Sequence, residues 1–337
     1  MTEREAAAAA RSRAPPDEHG SNDVVPKSTR DYSRIEYWDR RFETEEEYEW
    51  CGRFEDFRGL LVAALKGEGG GGASPAKRVL VLGSGTSRLP FDLAAEKEML
   101  LPWLEEVVAT DLSTVAVEKM AAKMLREEAE REGEEGEEER EGNGEGEEET
   151  AAKKGRRKTK SKSGNRARIT WQVADMLSLP FPDASFDAVI DKGCLDALFA
   201  GFGSSGGGGE NEQRFDKWRP RETAPALWDL AQRALRESHR VLRPEGGCYV
   251  QVSFEQPHFR RPFLDAPGLS WLGAETAFGE EGGLQFLFYL RRRGGEGGGA
   301  LTSSEAASEI LLSGYKPDDS PMHDHMDSED FLMRTSL

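Results

Sequence analysis

The fold this sequence predicts is a doubly wound α/β sheet with a ligand site at the carboxyl ends of its strands, and three observations predict it. The run Arg78-Val79-Leu80-Val81-Leu82 is apolar without alternation, as a strand covered on both faces must be. Gly83-Ser84-Gly85 follows at once, where backbone without a Cβ can approach a ligand closely. A second run, Val107-Val108-Ala109-Thr110, ends on Asp111, whose carboxylate can accept from both hydroxyls of a ribose. Dinucleotide and S-adenosylmethionine folds share this pairing. The dinucleotide fingerprint itself is incomplete, since Arg88 stands where its third glycine would be.

The remaining elements follow along the chain. Residues 1–30 are Ala, Arg, Pro and polar without an apolar period, and are expected to be a disordered tail. Tyr37, Trp38, Phe42, Tyr48, Trp50, Phe54 and Phe57 then crowd a charged segment, too aromatic for a linker. An aromatic lid over the open end of the sheet and helices that merely pad the domain are the two readings. Leu60 to Leu65 reads as helix, and the glycines from Gly67 to Gly72 lead into the first strand. A helix through Phe91, Leu93 and Ala94 returns the chain to the second strand, after which Ser113 caps a helix carrying Val115, Val117 and Met120. Ile169 to Ala174 and Phe186 to Ile190 predict a third and fourth strand, and Leu195 to Phe199 a short helix. Ala226, Leu227, Leu230, Ala234, Leu235 and Val241 recur at helical spacing, with Gly246-Gly247 as the stop. Cys248 to Phe254 is the fifth strand, and Leu269–Leu272 and Leu284–Leu290 can supply two more. Low-complexity insertions are expected at about 126–168, an acidic block followed by a basic one, and at about 200–217, rich in glycine.

Composition narrows the classes. The 337 residues, less these tracts, leave one α/β domain over residues 31–337. Cys51, Cys194 and Cys248 have neither a disulfide nor a metal spacing, so a reducing, cytoplasmic compartment and no metal site are expected. A formal net charge of −18 disfavours nucleic acid as partner, and no run is apolar enough to suggest a membrane.

The segment Phe181-Pro182-Asp183-Ala184-Ser185-Phe186-Asp187-Ala188-Val189-Ile190-Asp191-Lys192-Gly193 resembles the fourth-strand region of class I S-adenosylmethionine methyltransferases, in which an acidic residue before it, here Asp175, reaches the adenine. Further motifs extend the likeness: Glu36-Tyr37-Trp38-Asp39-Arg40-Arg41-Phe42, Val81-Leu82-Gly83-Ser84-Gly85, Asp191-Lys192-Gly193-Cys194-Leu195-Asp196-Ala197-Leu198, Pro257-His258-Phe259-Arg260 and the closing Asp327-Ser328-Glu329-Asp330-Phe331-Leu332. With these the chain resembles the small lysine methyltransferases of translation elongation factor 1-alpha, in particular the branch sometimes fused to endothelin-converting enzyme. The resemblance implies a single seven-stranded Rossmann-like methyltransferase sheet with an N-terminal aromatic lid, and S-adenosyl-L-methionine as cofactor. It places Trp38, Phe42 and Trp50 around that cofactor, with Gly83, Gly85, Asp111, Leu112, Asp175, Met176 and Lys192 completing the site. Ser84 stands where the family usually has cysteine and Phe42 where it often has tyrosine; both long insertions are foreign to it.

Methyl transfer is an in-line displacement, so the protein must hold donor and acceptor in contact and exclude water. If the acceptor is a lysine, its amine must lose a proton first, and carboxylates can orient it. Asp191 and Asp196 are the candidate catalytic carboxylates, with helix capping as the competing role for each. His258 could line the acceptor channel; Cys194 lacks a histidine partner and reads as a small buried residue. The expected activity is protein-lysine N-methylation of elongation factor 1-alpha by a monomer. A small-molecule N- or O-methyltransferase is the rival enzyme, and a cofactor-binding interaction protein without turnover is the rival of another class.

Overall fold

The computed structural model describes residues 26, 29–67, 74–141, 166–200, 219–279 and 284–293. Among them one seven-stranded sheet runs in the order β3-β2-β1-β4-β5-β7-β6. Its strands are β1 (Arg78–Leu82), β2 (Glu106–Asp111), β3 (Arg168–Val173), β4 (Ala188–Lys192), β5 (Cys248–Ser253), β6 (Trp271–Gly279) and β7 (Gln285–Arg293). The first five pair in parallel, while β7 lies antiparallel between β5 and β6. The order reverses at β1, which pairs with β2 on one side and β4 on the other, so their carboxyl ends diverge and open a crevice.

Alternation along β1 explains why both faces must be covered. Val79 and Val81 face one core with Ile190, Val250 and Val252, under Phe57, Leu61 and Leu65 of α2 (Phe54–Lys66) and Leu89 and Leu93 of α3 (Leu89–Met99). Leu80 and Leu82 face the other, with Val189 and Tyr249, under Ala231, Ala234 and Leu235 of α6 (Pro225–Val241) and Phe263 and Leu264 of α7 (Pro257–Leu264). The aromatic segment enters through α1 (Ile35–Thr44), crosses the open end of the sheet and turns into α2. Asp56 reaches back to accept the Arg53 N–H at 2.7 Å, and Gly67, left-handed at φ 76°, closes α2. The short helix α5 (Cys194–Ala200) follows β4 directly.

Several boundaries differ from the sequence reading. The helix capped by Ser113, α4 (Thr114–Glu141), runs well into the acidic tract, where Glu, Ala, Arg and Lys have high helix propensity. The long helix α6 stops at Val241, ahead of Gly246-Gly247; Phe186 makes only an isolated bridge to Leu242, so β4 begins at Ala188. Strand β6 spans Trp271–Gly279, beyond the expected Leu269–Leu272. Strand β7 continues past Leu290 through Arg291, Arg292 and Arg293. Those guanidiniums stay in the sheet because each finds acceptors: Asp265 and Glu275 for Arg291, the Ala64 carbonyl for Arg292, the His239 and Leu242 carbonyls for Arg293. Most of the expected tail, the basic block of the first insertion, the glycine-rich insertion and the closing Asp327–Leu332 motif lie outside the described residues.

Candidate functional site

A cavity of about 270 Å³ opens where the ends of β1, β2 and β4 diverge. Its floor is the turn after β1, where Gly83 and Gly85 hold positive φ of 52° and 49°. A Cβ on Gly83 would lie 2.3 Å from Cys194 Sγ, and one on Gly85 would lie 3.1 Å from the Phe42 ring. Both positions are therefore fixed by close approach as well as by backbone angle.

The acids at the strand ends are held in place by backbone. Asp111 Oδ2 accepts the Gly85 N–H and Oδ1 the Ser113 N–H, each at 2.8 Å, so the residue ending β2 also shapes the turn after β1. An ionised carboxylate has acceptor capacity for about four donors, so part of it remains for a diol. Burial raises the Asp111 pKa, and the Ser113 and Gly85 N–H groups oppose that rise. Asp175 Oδ1 accepts the Leu177 N–H at 2.8 Å, which orients the carboxylate on the cavity wall beside Met176. Leu112 lines the same wall and stays 52% exposed, an apolar surface that a flat base would cover. Shape, carboxylate acceptors and exposed apolar wall thus fit the nucleoside half of S-adenosylmethionine.

The aromatic segment makes the opposite wall, where Tyr32, Trp38, Phe42, Tyr48 and Trp50 all line the cavity. Trp38 stacks on Phe42 at 5.5 Å and donates its indole N–H to the Tyr32 carbonyl at 2.7 Å. The Arg41 guanidinium sits over the rings of Tyr48 at 4.8 Å and Trp50 at 5.4 Å, and pairs with Glu45. Glu45 also accepts from Thr86 Oγ1 at 2.6 Å, tying this wall to the β1 turn. Of the expected cofactor residues, Trp38, Phe42, Trp50, Gly83, Gly85, Asp111, Leu112, Asp175, Met176 and Lys192 all line this one cavity.

Asp191 and Asp196 do not. Asp191 is fully buried: Oδ1 accepts the Cys194 and Leu195 N–H groups that begin α5, and Oδ2 accepts from Tyr249 Oη and Gln251 Nε2. Asp196 is equally enclosed, paired with Arg260 and accepting from Ser253 Oγ at 2.8 Å. Burial pushes its pKa up to about 6 despite the adjacent Arg260 charge. The structure gives both the architectural role, because neither carboxylate lies on the cavity wall. His258 is exposed at the start of α7, its ring tilted against that of Phe259 and away from the cavity lining. Cys194 lines the cavity beside Met176, its Sγ 3.4 Å from Met176 Sδ, and burial drives its thiol pKa well up.

Sequence reasoning missed Tyr32, Glu45, Thr86 and Ser87 as cavity residues and assigned no site role to Glu49 behind the wall. The glutamates sit in the run Glu45-Glu46-Glu47-Tyr48-Glu49, which carries no local signal separating a committed carboxylate from a solvated one. Only Tyr32 belonged to a recognisable aromatic cluster.

Comparison with known proteins agrees with this geometry. A family model described as a methyltransferase domain matches residues 147–200, which within the described residues takes in β3, β4 and α5. EEF1A lysine methyltransferase 4 of Bos taurus is 28% identical over 316 residues, 93% of this chain and 95% of that protein; its counterpart in Mus musculus is 27% identical over 318. The eEF1A lysine and N-terminal methyltransferase of Homo sapiens is 24% identical over 237 residues, 70% of this chain and 23% of that protein. A solved SAM-dependent methyltransferase from Aquifex aeolicus superposes at a TM-score of 0.33 with 14% identity, covering 65% of this chain and 82% of that one, too slight a likeness to argue from. With a methyltransferase-domain match and similarity along nearly its whole length to EEF1A lysine methyltransferase 4, the chain is an S-adenosylmethionine-dependent methyltransferase.

Proposed function

We propose that the protein methylates a lysine of translation elongation factor 1-alpha, acting as a monomer in the cytoplasm. The observation that supports this most is the end-to-end similarity to EEF1A lysine methyltransferase 4, spanning 95% of that protein. The scattered, unpaired Cys51, Cys194 and Cys248 suit a reducing compartment, and no helix among the described residues is long and apolar enough to cross a membrane.

In this reading Asp111 accepts from the ribose hydroxyls, Asp175 accepts from the adenine amine, and Leu112 and Met176 cover the base. When bound, S-adenosylmethionine supplies a methyl group activated on a sulfonium. Trp38, Phe42 and Trp50 exclude water from the reacting end and present ring faces to its positive charge, at about 0.5 to 2 kcal/mol for a desolvated cation. Exclusion of water disfavours the ammonium form of an entering lysine, while the ring faces attract it, so the two effects oppose each other. Attack on the methyl group requires the neutral amine, and desolvation in the closed site is what favours it.

The test is incubation with tritiated S-adenosylmethionine and a cell lysate, followed by gel separation and mass spectrometry of labelled bands. Label on elongation factor 1-alpha, lost in Asp111→Ala, supports the reading. Label confined to small molecules overturns the protein substrate, and cofactor binding without transfer overturns the enzyme.

A further inference from the structure

The aromatic segment has to be held across the open end of the sheet, and one carboxylate, Glu49, gathers three of the polar contacts that hold it. Glu49 Oε1 accepts the Arg88 N–H at 2.6 Å, at the first turn of α3, where an exposed donor and the helix dipole favour an anion. Its Oε2 accepts from Ser87 Oγ at 2.7 Å and from Lys192 Nζ at 2.6 Å. Lys192 in turn donates to the Trp50 carbonyl at 2.7 Å. Both side chains are withdrawn from solvent, at 5% exposure for Lys192 and 16% for Glu49, so water screens their attraction poorly. Ser87 and Lys192 line the cavity on the β1 and β4 sides, and Trp50 lines it on the aromatic side. One acidic side chain therefore joins the three walls.

The turn beside it would not keep its shape unaided. Cys51, a non-glycine residue, holds a positive φ of 58°, and Gly52 follows at 90°. Gly193, also left-handed at 76°, allows this turn to approach: a Cβ there would lie 3.5 Å from Cys51 Sγ and 3.6 Å from Trp50 Cβ. The backbone at Trp50 and Cys51 is thus pressed against the end of β4 by the contacts of Glu49 and Lys192.

We propose that Glu49 is a latch: a positioning residue that, through Lys192 and the first turn of α3, locks the aromatic segment over the cofactor and sets how fast the cofactor leaves. This rests on the cavity being the cofactor site. Glu49 touches neither reacting group, and it acts by fixing Trp50 and the loops that do.

The experiment measures S-adenosylhomocysteine dissociation by stopped flow and its affinity by calorimetry in Glu49→Gln, Glu49→Ala, Lys192→Met and the double variant Glu49→Gln/Lys192→Met. Glu49→Gln keeps the shape and an acceptor for Arg88 but removes the charge, and should release the ligand about tenfold faster. Glu49→Ala should release it faster still. Lys192→Met should match Glu49→Gln, and the double variant should not add to either, since both cut the same link. The effect falls on KM for the cofactor more than on kcat at saturation, whereas a merely structural residue would lower the melting temperature and active fraction and leave the release rate alone. Wild-type release from correctly folded Glu49→Gln and Lys192→Met overturns the latch. Asp111→Ala serves as the control: undiminished ligand affinity there would overturn the placement of the cofactor, and the latch with it.

Discussion

Replacing Asp111 by alanine removes two things at once, and the structure separates them. Without ligand, the Gly85 and Ser113 N–H groups lose their acceptor in a site where Asp111 itself is only 9% exposed. Each orphaned donor costs about 1 to 3 kcal/mol. Part of that is offset, because burial disfavours the ionised carboxylate that the change eliminates. A net loss of about 2 kcal/mol is expected, which lowers the melting temperature by roughly 4 to 8 °C in a domain of this size. With ligand, two ribose hydroxyls lose bonds to a charged acceptor, each worth about 1.5 to 3 kcal/mol, so affinity for S-adenosylhomocysteine falls by about a hundredfold or more. Calorimetric titration and ligand-free thermal melts report the two terms independently. A variant that melts early but binds the ligand within about twofold of wild type would refute the assignment and leave Asp111 as a brace for the glycine turn alone.

The same reasoning extends to other positions. Trp38→Ala removes the ring stacked on Phe42 over Gly85, and should weaken S-adenosylhomocysteine binding about tenfold and lower turnover with it, with a small change in ligand-free melting; early melting with normal binding would make Trp38 padding. Gly83→Ala should destabilise the protein and abolish binding, and Cys194→Ala should not rescue it, because the added Cβ would still lie 2.7 Å from the Cys194 Cβ; a Gly83→Ala protein with wild-type melting and affinity would show that the turn can give. Burial raises the Asp196 pKa from the ordinary carboxylate range to about 6, so its protonated form is favoured by folding and its contribution to stability is lost as pH rises through about 6. The melting temperature of the wild type relative to Asp196→Asn should therefore climb as pH falls from about 7 to about 4, and parallel pH profiles for the two would contradict that shift.

What could be read from the chain and what could not divide along physical lines. The unbroken apolar runs of β1 and β2 and the glycines and aspartate after them are local signals, and each kept its meaning in the fold. Arg291, Arg292 and Arg293 are the opposite case: the expected strand ended at Leu290, and the acceptors that keep the three cations in the sheet lie on Asp265, Glu275, Ala64, His239 and Leu242, distant in sequence. Asp191 and Asp196 look like acids beside a reaction centre because β4 ends there. Only the fold shows that Tyr249, Gln251, Ser253 and Arg260 close over them from β5 and α7, away from the cavity. Glu49 was invisible for a related reason, since its partner Lys192 is 143 residues away. Polar residues whose partners are remote carry no periodicity, and that is where the reading of single segments stops.

The most direct test of the proposed activity is a reaction of the purified full-length protein with S-adenosylmethionine and unmodified recombinant elongation factor 1-alpha, read by mass spectrometry of proteolytic peptides. One lysine should gain mass in steps of a methyl group, with Asp111→Ala and Trp38→Ala strongly slowed. An elongation factor 1-alpha unmodified at every lysine, under conditions where the same preparation binds the cofactor, would contradict the substrate and leave a methyltransferase whose acceptor lies elsewhere.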